Sequence, residues 1–340
     1  MDRAVVRRLV RVVDELSIRA FEPADHGAVL DLLAASLGWR SDEQHRDFFA
    51  WKHEANPFGP SLAWVADDPD AGIVGFRTLL RWRFDRPGGG TVDAVRAVDT
   101  ATAPSHRGAG IFSRLTRHAL DEIADAAVGF VFNTPNDQSR PGYLKLGWEE
   151  VGRLSVQIRP GSVGALARIV RARVAAELWS EACSAGVSAT EALSDHDALA
   201  SLLGSQPLPT SLRTALTPEF LRWRYAGFPP LGYRAVLGGA SVEDGLALFR
   251  LRRRGPALEC AIVEVLAPDG NRSAAASLAR RALRESGADD AVALAPSRRW
   301  PGFVRTDRLG PILTWRSVGD PPPALPLDRW ALTLGDIELF

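Results

Sequence analysis

A strand, a glycine turn and an amphipathic helix follow one another without a break in the first half of this chain, and few folds accommodate that order. Val95 to Thr102 has the composition of a strand, and the chain turns at Pro104. Gly108 and Gly110 flank Ala109 where the backbone must bend. The helix expected over 111–127 sets Ile111, Leu115, Ala119 and Ile123 on one stripe, so it packs on a sheet. A helix that begins at such a bend offers unpaired N–H groups and about half a positive charge, which suits an anion such as a pyrophosphate. Arg107 adds a full positive charge at the same place.

Two familiar phosphate loops do not fit this stretch. A Walker loop needs Lys and then Ser or Thr directly after its last glycine, whereas Ile111 and Phe112 follow Gly110. A dinucleotide fingerprint needs Gly or Ala at its third position and an acid at the end of the next strand. Here Ser113 holds that position, and the strand Val128 to Phe132 runs into Asn133.

The stretch resembles the acyl-CoA loop of the GNAT acyltransferase superfamily, written Gln/Arg-x-x-Gly-x-Gly/Ala, with Ser105 where Gln or Arg is usual. A second segment supports the resemblance. Asn136 precedes Tyr143 by seven residues, and Tyr143 opens a Tyr-x-x-x-Gly-aromatic run that ends at Gly147 and Trp148. Both segments occur in the family's order.

Composition narrows the remaining classes. The 41 basic and 41 acidic residues balance, so no global field draws the chain to nucleic acid or to an anionic membrane. All the basic residues except Lys52 and Lys145 are arginine. Cys183 and Cys260 make neither a disulfide framework nor a zinc pattern, and the six histidines are scattered, so no metal site is expected. No apolar run is long enough to span a bilayer and no signal peptide is evident, so a cytoplasmic enzyme, monomer or homodimer, is the expectation.

The pattern then repeats. Phe220-Leu-Arg-Trp-Arg-Tyr225 echoes Phe48-Phe-Ala-Trp-Lys-His53, Ala267 to Leu278 echoes Ala103 to Leu115 with a gap, and Trp300-Pro-Gly-Phe303 echoes Arg140-Pro-Gly-Tyr143. Three echoes in one order argue for a duplicated domain. The expected division is an N-terminal extension over 1–16, a catalytic lobe over 17–158, a linker helix within 159–186 and a degenerate lobe over 187–340. The fold class is α+β or α/β: two tandem GNAT-like lobes, each a mixed, mostly antiparallel twisted sheet flanked by helices. The second copy lacks the Gly-x-Gly pair and carries Phe303 in place of Tyr143, so it is expected to shape the acceptor pocket without turning over.

The resemblance implies acyl transfer, usually of acetyl, from coenzyme A to an amine, here of a small molecule or sugar, with acetyl-CoA as co-substrate. Arg107, Gly108, Ala109, Gly110 and Ile111 would donate to the pyrophosphate. Main-chain atoms from Asp99 through Ala101 and Thr102 would hold the pantetheine arm between two splayed strands. Asn136 would bond that arm or cap the turn before the Tyr-bearing helix. Tyr143 would protonate the departing thiolate. Asp99 is the first candidate base and His53 the second, with Trp51 and His53 facing the acceptor. Two other readings stay open: an aminoacyl-tRNA-dependent ligase of the Fem type, against which the neutral charge counts, and a non-catalytic acyl-CoA-binding regulator.

Overall fold

The computed structural model describes residues 16–295, 300–319 and 325–338, so most of the expected N-terminal extension lies outside the described residues. The described chain divides into two compact units. The first holds 16–83, 92–150 and 313–319; the second holds 84–91, 151–295, 300–312 and 325–338.

In the first unit the elements run β1 (Ser17–Ala20), α1 (His26–Leu37), α2 (Glu43–His53), β2 (Leu62–Asp68), β3 (Gly72–Asp85), β4 (Thr91–Thr102), α3 (Ile111–Glu122), β5 (Phe130–Asn133), α4 (Arg140–Lys145) and β6 (Glu149–Arg153). Their sheet takes a further strand from near the end of the chain, β15 (Ile312–Ser317), and has the order β1-β2-β3-β4-β5-β15-β6. β15 pairs antiparallel with β5, Thr314 opposite Asn133. The α3 stripe is buried as its spacing requires: Ile111, Leu115 and Ala119 lie in one core with Val74, Val95, Tyr143 and Trp148. Gly75 permits that approach. A Cβ there would sit 2.6 Å from Ile111 Cγ2 and 2.9 Å from Leu115 Cδ1. A second core gathers Val29 and Leu33 of α1 with Phe49 of α2 and Phe76 of β3. Asp42 starts α2 by accepting from the His45 N–H at 2.9 Å, which fixes the pitch at which Lys52 and His53 arrive.

The second unit contains β7 (Val156–Pro160), α5 (Leu166–Arg171), β8 (Val187–Ser188), α6 (Ala189–Ala192), α7 (His196–Gly204), β9 (Arg213–Thr214), α8 (Pro218–Ala226), β10 (Arg234–Leu237), β11 (Leu246–Arg254), β12 (Ala257–Leu266), α9 (Arg272–Ser286), β13 (Asp290–Leu294) and β14 (Val304–Thr306). Its sheet order is β8-β10-β11-β12-β13-β7-β14, and β9 pairs separately with Phe84 and Asp85 at the end of β3. Strand for strand the two sheets correspond, with one difference. The place between the fifth strand and the last is filled in each sheet by the strand that closes the other half of the sequence, β15 in the first and β7 in the second.

Two expectations are corrected. The sequence predicts the final strand of the first half over about Glu149 to Ile158, but the strand breaks at Leu154 and Ser155 into β6 and β7, which join different sheets. The apolar residues after 161 read as a long helix, but only Leu166–Arg171 is helical. Val163, Val170 and Val174 are exposed there, so no buried face rewards further helix.

Candidate active site

The site of the first unit begins where two parallel strands part. β4 and β5 pair at Ala94–Phe130, Val95–Val131 and Arg96–Phe132, and no further pair follows, although β4 continues to Thr102. Within that unpaired stretch Asp99 adopts φ +39, a left-handed conformation that few non-glycine residues take and that Asp tolerates better than most. The turn re-aims one side chain of a strand that otherwise alternates.

Beyond the fork, Pro104–His106 forms a single 3-10 turn. The ring of His106 reaches Asp68 at 3.4 Å and Ser105 Oγ at 2.9 Å, which ties the loop to the end of β2. Gly108 then takes φ +83 and Gly110, the N-cap of α3, φ +75. A Cβ at either position would meet nothing within 4 Å, so glycine serves here for its backbone freedom. Arg107 and Ala109 make only long turn bonds, at 3.5 and 3.4 Å. Among the described residues the N–H groups of Gly108, Gly110, Ile111, Phe112 and Ser113 meet no carbonyl, and Arg107 is exposed beside them. Open amides at a helix start, with a cation at the rim, fit the diphosphate of coenzyme A.

Tyr143 is brought to the fork by α4. Asn136 caps the turn that leads there: its Oδ1 accepts from the Ser139 N–H at 2.9 Å and the Gln138 N–H at 3.1 Å. The Tyr143 ring is buried edge-on against Phe112, with centroids 5.2 Å apart, and lies tilted against Trp148 at 5.1 Å. Its hydroxyl accepts from Arg77 Nη1 at 2.7 Å, and the same nitrogen donates to Thr100 Oγ1 at 2.6 Å.

Asp99, which breaks the strand, lies in a cluster drawn from α2. Lys52 Nζ is 2.6 Å from Asp99 Oδ2 and His53 Nε2 is 3.0 Å from the same oxygen. Ser61 Oγ lies 2.9 Å from His53 Nδ1. Burial alone would raise the Asp99 carboxyl, but the Lys52 charge and the His53 hydrogen bond outweigh it and hold it well below the usual carboxylate range. Burial pushes the His53 imidazole below its ordinary value against the pull of Asp99. An ionised carboxylate can only accept, so the ring proton sits on Nε2 and Nδ1 accepts from the Ser61 hydroxyl.

The residues expected from the sequence thus fall into two groups around the fork. His53 and Asp99 are in contact, and Tyr143 is linked through Arg77 to Thr100, the neighbour of Asp99. Trp51 is buried with its ring 5.4 Å from Phe48. Ala101 is buried, and the Thr102 carbonyl accepts from Ser36 Oγ at 3.2 Å. Lys52, Ser61 and Arg77 were not foreseen. Two of them carried a signal: Lys52 is one of two lysines in an arginine-rich chain, and Arg77 falls between the apolar residues Ile73 to Phe76 and Leu79 to Leu80.

A mixed sheet with one forked parallel pair and a helix that opens beside the fork defines the acyltransferase fold anticipated from the sequence. Residues 17–151, the stretch that carries the fork, the loop and Tyr143, match the acetyltransferase (GNAT) domain family. No curated protein matches it in sequence. Solved structures share the fold at low identity. A probable N-acyltransferase from Enterococcus faecalis is 11% identical with a TM-score of 0.58, over 90% of this chain and 73% of that one. A GCN5-related N-acetyltransferase from Kribbella flavida is 16% identical with a TM-score of 0.54, over 89% and 71%. Another from Anabaena variabilis is 14% identical with a TM-score of 0.61, over 88% and 72%. No helix among the described residues is long and apolar enough to cross a membrane.

Proposed function

We propose that the first unit transfers an acyl group, acetyl in the simplest case, from a coenzyme A thioester to an amine of a small molecule or sugar. The observation that carries this reading is the set of unpaired amides of Gly108 and of Gly110 to Ser113 at the start of α3. The co-substrate supplies an acyl carbon open to attack and a thiol that departs. In the balanced reaction a C–N bond forms, the C–S bond breaks, sulfur leaves with the electron pair, and the amine gives up one proton.

This chain's own residues have four tasks. The amides of 108–113 and the Arg107 charge hold the diphosphate. The unpaired stretch of β4 from Ala97 to Thr102 presents main chain to the arm, as an added strand would need. Tyr143 delivers its hydroxyl proton to the sulfur. His53, kept neutral by burial, takes the amine proton through the Ser61 hydroxyl, and ionised Asp99 stabilises the imidazolium. Asp99 itself is a poor base because Lys52 and His53 already stabilise its anion. The second unit is read as a degenerate copy without turnover.

Calorimetry with acetyl-CoA tests the donor half of this reading. The wild type should bind, and Gly108→Trp, which fills the open mouth of the loop, should not. Absence of binding to the wild type overturns the assignment. A thiol-release screen across amine classes then identifies the acceptor.

A further inference from the structure

Arg77 is an unusual cation. It lies in β3 with no solvent exposure, and its guanidinium stacks 5.2 Å from the Tyr143 ring centroid and 5.8 Å from that of Phe112. Nη1 has its two partners, Tyr143 and Thr100, but Nε and Nη2 have none. Among the described residues no carboxylate pairs with it. Arg224, equally buried in the second unit, has Glu338 at 3.8 Å and the Gly335 carbonyl at 3.0 Å. A fixed charge buried without a counter-ion disfavours the resting fold, and such a group is kept where an anion arises during function.

The bond to Tyr143 also has a direction. Because Nη1 donates, it occupies a lone pair of the phenol oxygen, and the Tyr143 O–H is left to donate elsewhere. Among the described residues that hydrogen meets no acceptor. The guanidinium therefore sets the phenol as a donor and places a positive charge one bond behind it.

We infer that Arg77 is a positioning residue for the thiol half of the reaction: it aims the Tyr143 proton at the sulfur and stabilises the coenzyme A thiolate through that phenol. This rests on the transferase reading above, and it concerns the sulfur alone, so it can fail while that reading stands. Binding of the free thiol provides a test that needs no turnover. Coenzyme A and its desulfo analogue, in which hydrogen replaces the thiol, are titrated calorimetrically into the wild type, Arg77→Met and Arg77→Gln at mildly alkaline pH.

The wild type should favour coenzyme A over the desulfo compound by about tenfold, the scale of one charge-assisted hydrogen bond. Arg77→Met should bind both alike, with desulfo affinity unchanged, because only the anion is affected. Methionine replaces a buried unpaired charge with an apolar chain of similar length, so this variant should fold; Arg77→Gln carries the same expectation should it not. A preference that survives in both variants, or is absent from the wild type, overturns the inference while leaving the transferase reading intact. Failure of both ligands to bind the wild type overturns the two together.

Discussion

The two units handle the same point of the same fold in opposite ways. In each, a strand parts from its parallel neighbour after three residue pairs, β4 from β5 and β12 from β13. In each, the parting strand is irregular four residues before an Ala-Pro pair: Asp99 turns left-handed, and the register of β12 slips past Val263. The following helix starts then diverge. Gly110 caps α3 without a side chain, whereas Asn271 caps α9 by accepting from the N–H groups of Ser273 and Ala274, both at 3.1 Å. The second helix satisfies itself; the first leaves its donors for something else. The forks differ as well. Tyr143 has Phe303 as its counterpart, and the fork of the second unit is a cavity of ≈ 200 Å³ lined by Val263, Glu264, Leu294, Leu332 and Leu334. The helix starts thus differ in their caps while the strands around them keep the same order.

Exchanging features between the units breaks or sharpens this comparison. Tyr143→Phe, which makes the first fork resemble the second, should lower turnover by about 10²-fold and leave acetyl-CoA affinity unchanged in calorimetry. A rate loss matched by an equal affinity loss would assign Tyr143 to packing. Gly110→Asn, which imports the cap of α9, should weaken acetyl-CoA binding by about tenfold, since the side chain competes for the amides the diphosphate needs. The smallest effect is one of pH. Burial pushes the Glu264 carboxyl up to about 8, with Asp336 adding to the rise. A folded pKa above the unfolded one gives stability that is present in acid and lost as pH rises through about 8. Glu264→Gln should therefore gain in thermal midpoint over the wild type as pH goes from about 6 to about 9. A difference that stays constant across that range would mean Glu264 is ionised throughout.

What could be read from the sequence was what the backbone dictates locally. The bend at Gly108 and Gly110, the α3 stripe and the Asn136–Tyr143 spacing each lie within one short segment, and the structure has each of these features. The electrostatic cluster was less visible because it forms at long range: Asp99 meets residues of α2, and Arg77 meets Tyr143, only once the sheet has formed. Residues 149–158 were harder still. Alternation identifies a strand but not the sheet it enters, and the break at Leu154 and Ser155 leaves no mark in the hydropathy pattern.

The exchanged strands have a consequence for synthesis. β15 supplies the interior of the sheet that carries the candidate site, yet Ile312–Ser317 is translated only after every strand of the other sheet. While the ribosome still works through the second half, β5 waits with one edge unfilled, exposed to wrong pairings. The first sheet is thus begun before the second and completed after it.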